Sequence, residues 1–279
     1  MSINASLSLK MVQKLTKYAL LTVLLSVNTE PLTAVKAPAN PSYDFNSLTI
    51  EDSIYARNIE SLKDACAAKG YDISVLIEDK RFEVYEKIAT YFTGSAERKS
   101  VSLDQYKKIL GYDKKKIQAG SFIQKYESTL EQAEKKYGVS RYVITAILGI
   151  ESDFGKNIGR HNPFNAYASM YIVDYRADFA LDQLIELLAF AKRNNVDVFE
   201  LKSSYAGAIS YAQFIPYSLN KWFVGSDIFD MKNNIMSIGN YLAYFMEKTG
   251  DMRTAVLRYN PSGLYADAVM SLAKEIENS

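Results

Sequence analysis

The chain has 279 residues, of which 48% are hydrophobic and 23% charged, and its formal net charge is +1. This composition supports a substantial core and carries too little charge for a disordered protein. The near-neutral balance, without a long basic block, argues against a nucleic-acid-binding protein.

The first 37 residues have the pattern of a secretory signal peptide. Three lysines between positions 10 and 17 precede an apolar run over residues 18–27, and the small residues Ala34 and Ala37 follow. The run has about ten residues, whereas a membrane-spanning helix needs about twenty, so a permanent anchor is the weaker alternative. We predict an exported mature domain over residues 38–279, and a tether through an uncleaved N-terminus stays open.

Most of the remaining chain has apolar residues at helical spacing, with serines and glycines at the ends of the segments. Ser102 with Gln105 forms a capping box, Gly138 is a stop signal, and Ser140 can cap the next helix. The predicted helices cover residues 54–66, 75–92, 103–111, 117–137, 141–151, 178–193, 231–248, 254–259 and a last segment after Pro261. Strand signals are nearly absent. The sequence therefore predicts an all-α fold, with a helical N-terminal part over about 45–137 and a core over about 138–279.

One predicted helix ends its apolar face with an acid. Four apolar residues between Val143 and Leu148 lie on one face, and the same face reaches Glu151 three or four residues later. Burial of an unpaired carboxylate is costly and raises its pKa, so a buried Glu151 can act as a general acid near neutral pH. The alternative is that Glu151 contacts water or a basic partner at a helix end and has no chemical role.

Other kinds of catalytic site find little support. After Gly155 the sequence predicts a glycine-punctuated loop through residue 163, of the kind that lines clefts. This loop holds His161, the only histidine, so a zinc site or a Ser-His-Asp arrangement would depend on that one residue. The single Cys66 cannot form an intramolecular disulfide and is interpreted as a core residue. No phosphate-binding glycine loop occurs.

A second catalytic carboxylate is not evident near Glu151. Asp153 is two residues further along, which turns its side chain about 200° away on a helix. Three distant acids remain as alternatives, each of them interpretable as a cap or a surface charge: Asp174, Asp178 and Asp230. A single carboxylic acid would have to protonate the leaving oxygen and then accept a proton from the nucleophile. That chemistry suits a substrate that carries its own nucleophile.

Four motifs in order resemble the membrane-bound lytic murein transglycosylase B family, and the similarity covers roughly residues 70–279. They are GIESDFG at 149–155, SYAGAISYAQFIP at 204–216, IGNYL at 238–242 and RYNPSGLY at 258–265. The resemblance implies a lysozyme-like all-α core that cleaves peptidoglycan between N-acetylmuramic acid and N-acetylglucosamine and forms a 1,6-anhydro ring without water. It also implies that Glu151 is the single general acid and base.

The resemblance further implies a set of substrate-binding residues. Ser204 and Gln213 match polar cleft residues, although turn and cap chemistry is an alternative for Ser204. Arg176 matches an arginine that holds an acidic group of the substrate, with a surface ion pair as the alternative. The family's sugar-contacting residues are matched by Tyr241, Tyr259, Asn260 and Tyr265. Because the chain has 21 tyrosines, core filler is the alternative for each of these three tyrosines.

The chain also departs from the family pattern. Ser210 and Ala212 replace glycines that flank a tyrosine, and Ser152 replaces a threonine. We expect these changes to affect substrate preference more than reaction type. Between Trp222 and Asp230 the chain lacks an acidic, glycine-containing calcium loop, so neither a metal nor another cofactor is predicted.

The resulting hypothesis is a monomeric periplasmic lytic transglycosylase. Its partners are peptidoglycan glycan strands, with cell-wall synthesis or remodelling proteins as further candidates, and no nucleic acid. One alternative is a hydrolytic muramidase that uses a distant aspartate. The other is a non-catalytic glycan-binding scaffold of the cell-wall machinery.

Overall fold

Almost every element of the chain is a helix in the computed structural model, which describes residues 35–36, 50–94 and 101–279. Two short strands, β1 (Val35–Lys36) and β2 (Glu83–Val84), pair antiparallel. The helices are α1 (Ile50–Ala67), α2 (Ser74–Glu78), α3 (Ile88–Thr93), α4 (Leu103–Leu110), α5 (Tyr112–Tyr137), α6 (Arg141–Ser152), α7 (Pro163–Ile172), α8 (Ala177–Asn194), a 3-10 turn (Val198–Glu200), α9 (Pro216–Trp222), α10 (Met231–Thr249), α11 (Met252–Tyr259) and α12 (Gly263–Glu277). The predicted all-α fold is confirmed.

The predicted signal peptide lies outside the described residues, apart from the backbone of β1. Within the part of the chain that the structure describes, every helix is too short or too polar to cross a membrane. The proposed division at about residue 137 coincides with the end of α5 and stays a prediction.

Helix α6 is the centre of the core. It packs against α5, α10 and α12, and every residue from Val143 to Ser152 is buried. Its sequence explains this position, because apolar or small residues occupy nearly all sides of the helix. The Ser140 side chain accepts a hydrogen bond from the Tyr142 N–H and so caps the helix as predicted. The last turn of α6 therefore places Glu151 inside the protein.

The predicted ends of the neighbouring helices are also confirmed. Ser102 and Gln105 form the capping box at the start of α4. Gly138 ends α5 in the left-handed conformation, and its N–H donates to the Glu134 carbonyl.

The sequence analysis was wrong over residues 75–92, and it missed helices α7 and α9. The single helical region predicted over 75–92 consists of α2, β2 and α3. The break occurs where the Asp79 carboxylate accepts from the backbone N–H of Arg81, because this local bond replaces a helical one. The predicted loop through residue 163 runs into helix α7, which the sequence analysis missed. Asn162 caps α7, and Pro163 occupies its first position.

A small antiparallel ladder stands beside the helices. Single bridges join His161 to Ser203, Ser203 to Ile209, and Ile209 to Phe214. The first bridge fixes the loop after α6 against the loop before α9, and the other two fold the latter loop on itself.

The half-buried His161 should make stability pH-dependent. Burial, with a smaller contribution from Arg160, lowers its pKa from 6.5 to about 4. The unfolded chain takes up a proton as the pH falls through about 6.5, whereas the folded chain does so only near 4. Stability is therefore complete above 6.5 and is lost as the pH falls towards 4. We expect about 2 kcal/mol less unfolding free energy at pH 4.5 than at pH 7 in urea titrations.

A His161→Gln variant should show a much flatter pH dependence over this window, because the chain has no other histidine. The same slope in the variant would assign the effect to other groups.

Candidate functional site

Glu151 lies fully buried in the last turn of α6. The Tyr265 hydroxyl donates a hydrogen bond of 2.6 Å to Glu151 Oε1. Tyr265 is in the first turn of α12, where its backbone N–H donates to the capping Ser262 side chain. Two helices from opposite ends of the core sequence thus meet at this carboxyl group.

The tyrosines near Glu151 are protonated hydrogen-bond donors at neutral pH. Burial raises the pKa of Tyr265 and of Tyr259 well above the ordinary value of 10, and the charge of Glu151 raises both further. The two hydroxyl groups therefore present fixed dipoles around the acid.

Asp153 pairs with two lysines of α5. Its carboxylate contacts Lys115 at 3.2 Å and Lys114 at 3.7 Å, both on α5. The Lys115 ammonium is mostly buried, and burial lowers its pKa while Asp153 opposes the shift. Asp153 thus serves to join the end of α6 to α5.

A strained turn lies between Ile209 and Phe214. Ile209 and Phe214 exchange backbone hydrogen bonds of 2.8 and 2.9 Å, which leaves a four-residue turn from Ser210 to Gln213. Ser210 has φ +72° and Gln213 has φ +50°. Both values lie in the left-handed region, which residues other than glycine rarely adopt. The Gln213 Nε2 donates to the Ser210 carbonyl at 2.8 Å.

Two side chains hold the middle of this turn. The Ala212 N–H donates to Asn234 Oδ1 at 2.9 Å, and the Tyr259 hydroxyl donates to the Ala212 carbonyl. The charge of Glu151 contributes to the raised pKa of Tyr259, so Tyr259 links the turn to the neighbourhood of the acid. A carboxylic acid with polar groups nearby can supply a proton and orient a ligand.

A family model described as the transglycosylase SLT domain matches residues 55–253, which is more than half of the chain. The chain belongs to this family. The membrane-bound lytic murein transglycosylase B of Escherichia coli (strain K12) is 30% identical over 128 residues. The matched region is 44% of this chain and 36% of that protein, so the chain spans about a third of the relative's length.

Solved structures show that this transglycosylase SLT domain shares its fold with lytic transglycosylases. A soluble enzyme from Pseudomonas aeruginosa is 23% identical, with a TM-score of 0.68 over 80% of this chain and 98% of that one. An Escherichia coli enzyme in complex with bulgecin A is 20% identical, with a TM-score of 0.68 over 79% and 93%. A further Pseudomonas aeruginosa structure contains NAG-NAM-pentapeptide, at 18% identity and a TM-score of 0.68 over 81% and 80%. The predicted lysozyme-like core is thereby confirmed.

The domain brings some predicted site residues together. Tyr265 and Glu151 are in direct contact, and Tyr259 connects them to the turn that holds Gln213. Asn260 follows Tyr259 at the end of α11, is buried, and accepts from the Ser262 N–H at 3.2 Å. Tyr241 packs its ring 4.9 Å from that of Tyr259.

Ser204 and Arg176 belong to neighbouring parts of the structure. The Ser204 Oγ accepts from the Ala208 N–H, which is the turn chemistry considered as its alternative. Arg176 lies at the corner between α7 and α8, with its guanidinium 4.1 Å from the centre of the Phe179 ring. Neither contact tests their predicted roles in substrate binding.

The sequence analysis missed Asn234. This residue is fully buried in α10, accepts from the Ala212 N–H, and donates to the carbonyls of Ile228 and Asp230. The sequence feature that could have revealed Asn234 is an amide side chain at a core-facing position of an amphipathic helix.

No group of three or more histidine, cysteine, aspartate or glutamate side chains is arranged as a metal site within the described ranges. The absence of a metal stays a prediction.

Proposed function

We propose that this chain is a lytic transglycosylase that cleaves the β-1,4 bond between N-acetylmuramic acid and N-acetylglucosamine in peptidoglycan. The product end is a 1,6-anhydromuramic acid, and Glu151 is the single general acid and base. The observation that carries the proposal is the fully buried Glu151 carboxyl group, held by Tyr265 in a family of transglycosylases. The names of the relatives support the same reaction class.

The mechanism uses one carboxyl group twice. Protonated Glu151 donates its proton to the glycosidic oxygen as the bond from that oxygen to C1 of the muramic acid breaks. The resulting carboxylate then accepts the proton of the C6 hydroxyl while O6 forms a bond to C1. The proton that left Glu151 is thus restored, and no water is consumed. Because O6 and C1 belong to one sugar, the attacking hydroxyl has a large effective concentration.

Burial supports this reaction in two ways. A carboxyl group removed from water is more easily protonated, which suits the acid step. The closed pocket also keeps water from competing with the C6 hydroxyl. Glu151 has no exposed surface in the structure, so sugar binding must be accompanied by side-chain movement, which is common at binding sites.

The surrounding residues are proposed to divide into two groups. Gln213, Asn260, Ser204 and Arg176 bind polar and acidic groups of the substrate. Tyr241 and Tyr259 act from beneath the pocket, because their hydroxyls already donate to the carbonyls of Arg258 and Ala212. Sugar contact by these two tyrosines would use the ring faces rather than the hydroxyl groups.

The proposal places the protein in the periplasm as a monomer acting on glycan strands, with cell-wall synthesis or remodelling proteins as further candidate partners. Residues 38–279 should release soluble muropeptides from purified peptidoglycan. Mass spectrometry should find fragments lighter by one water at the muramic acid. Reducing ends would indicate a muramidase instead, and binding without cleavage would indicate a scaffold.

Replacing Tyr265 with phenylalanine should reduce kcat about tenfold. The variant removes the hydroxyl that holds Glu151 Oε1 and leaves the rest of the core packing intact. The measurement is the rate of muropeptide release at saturating peptidoglycan.

Tyr112→Phe is the matched control, because the Tyr112 hydroxyl donates to a different carboxylate, that of Glu275 on α12. Both variants should lose about 1 kcal/mol of stability, and only Tyr265→Phe should lose rate. Equal rates for the two variants would contradict a role of Tyr265 in positioning Glu151.

A further inference from the structure

Helix α6 is followed by a run of three left-handed residues, directly after Glu151 and Ser152. Asp153, Phe154 and Gly155 have φ values of +50°, +59° and +86°. For a bulky residue such as phenylalanine this conformation is a genuine outlier. Strain of this kind persists only where the surrounding structure enforces it, and it is concentrated at functional sites. The contacts of the Phe154 side chain show what enforces it here.

The left-handed backbone folds the half-buried Phe154 ring back onto α6. The ring packs against Gly149, since a Cβ at this glycine would lie 2.8 Å from Phe154 Cζ and 3.2 Å from Cε1. The same ring packs against Phe122 of α5, with 5.1 Å between the ring centres. Phe154 thus joins the last turn of α6 to α5, and any side chain at position 149 would displace the ring.

Backbone hydrogen bonds tie this left-handed run to the same part of α6. The Phe154 N–H donates to the Leu148 carbonyl at 3.1 Å. The Ser152 Oγ accepts from the Gly155 N–H at 3.0 Å. The ring and its backbone therefore cannot move without moving the last turn of α6, and this turn carries Glu151.

We propose that Phe154 is a positioning residue for Glu151. Its ring, packed against Gly149, fixes the last turn of α6, so that the buried Glu151 carboxyl group meets the Tyr265 hydroxyl at 2.6 Å. Such positioning affects the rate, because a displacement of about 1 Å at a catalytic group can cost about a hundredfold. The effect on rate rests on the proposed function, whereas the position of the carboxyl group can be measured without it.

The test compares Gly149→Ala, which displaces the ring, with Phe154→Gly, which removes the ring and also relieves the left-handed strain. Each variant should lower kcat for muropeptide release about tenfold and leave KM within about twofold, because the groups that bind the substrate are unchanged. The double variant should lose no more than either single variant, since both changes act on one contact. In protein labelled with 13C-glutamate, the Glu151 carboxyl resonance, identified by its loss in Glu151→Gln, should shift in all three variants.

Gly239→Ala is the matched control. A Cβ at Gly239 on α10 would lie 2.8 Å from the Tyr137 ring and 3.6 Å from Ile144 in the first turn of α6. A clash of the same size with an aromatic ring is thus created at the opposite end of this helix. The control should lower the unfolding midpoint about as much as Gly149→Ala does, yet leave kcat and the Glu151 resonance unchanged.

Equal kcat values for Gly149→Ala and Gly239→Ala would overturn the proposal and leave Phe154 a packing residue. Additive losses in the double variant, or an unshifted Glu151 resonance, would overturn it as well. If the wild-type chain does not cleave peptidoglycan, the resonance decides alone. A shift in Gly149→Ala and Phe154→Gly that is absent in Gly239→Ala would then keep the positioning role and reject the transglycosylase.

Discussion

Replacing Glu151 with glutamine should lower the release of muropeptides about a thousandfold, the size of a general acid and base contribution. Glutamine has nearly the same shape, and its side-chain oxygen can still accept from the Tyr265 hydroxyl. It cannot, however, donate a proton to the glycosidic oxygen or take one from the C6 hydroxyl. The unfolding midpoint should be unchanged or higher, since the variant removes an ionisable group from a fully buried position.

Glu247→Gln is the matched control for this experiment. Glu247 is a glutamate on α10 that is largely exposed and pairs only with the adjacent Lys248 among the ion pairs of the described chain. This variant should cleave peptidoglycan at the wild-type rate. If Glu151→Gln retained activity within a few fold of wild type, another residue would have to be the acid.

The second large effect is expected from replacing Gly159 with alanine, which should strongly destabilise the protein. This residue has φ +85°, and a Cβ there would lie 2.1 Å from the Ser203 carbonyl oxygen and 2.5 Å from its carbon. The clash is with backbone that is paired to His161 in the ladder, so no side-chain rotation can relieve it. We expect Gly159→Ala to lower the unfolding free energy by about 3–5 kcal/mol in urea titrations.

Gly138→Ala separates this clash from backbone strain. Gly138 has a similar φ of +66° but has no atom within 4 Å of the Cβ position. Gly138→Ala should lower the unfolding free energy by about 1 kcal/mol, which is the cost of placing an alanine in the left-handed conformation. Similar losses at the two positions would show that the contact with Ser203 does not matter.

The sequence predicted helix α6 and the acid at its end because the signals there are local. The apolar face of α6, its Ser140 cap and the position of Glu151 all lie within about a dozen residues, so periodicity and capping chemistry suffice. The same reasoning failed for α7. Its cap Asn162 and first residue Pro163 are helix-start signals that also occur in loops, and they follow a glycine-rich stretch.

The strained turn from Ser210 to Gln213 was beyond the reach of sequence patterns. Its conformation depends on bridges such as His161 to Ser203, which join segments some forty residues apart. Asn234 and Tyr259 reach it from two further helices. Only the assembled core reveals that Ser210 and Gln213 are strained. The family pattern indicated a departure at Ser210 without indicating its consequence.

The most direct test of the central claim is digestion of purified peptidoglycan by residues 38–279 in water labelled with heavy oxygen, followed by mass spectrometry of the new muramic acid ends. The proposed mechanism predicts anhydro ends without heavy oxygen, because the nucleophile is the C6 hydroxyl of the substrate. Reducing ends that carry heavy oxygen at C1 would contradict it and show hydrolysis by a muramidase.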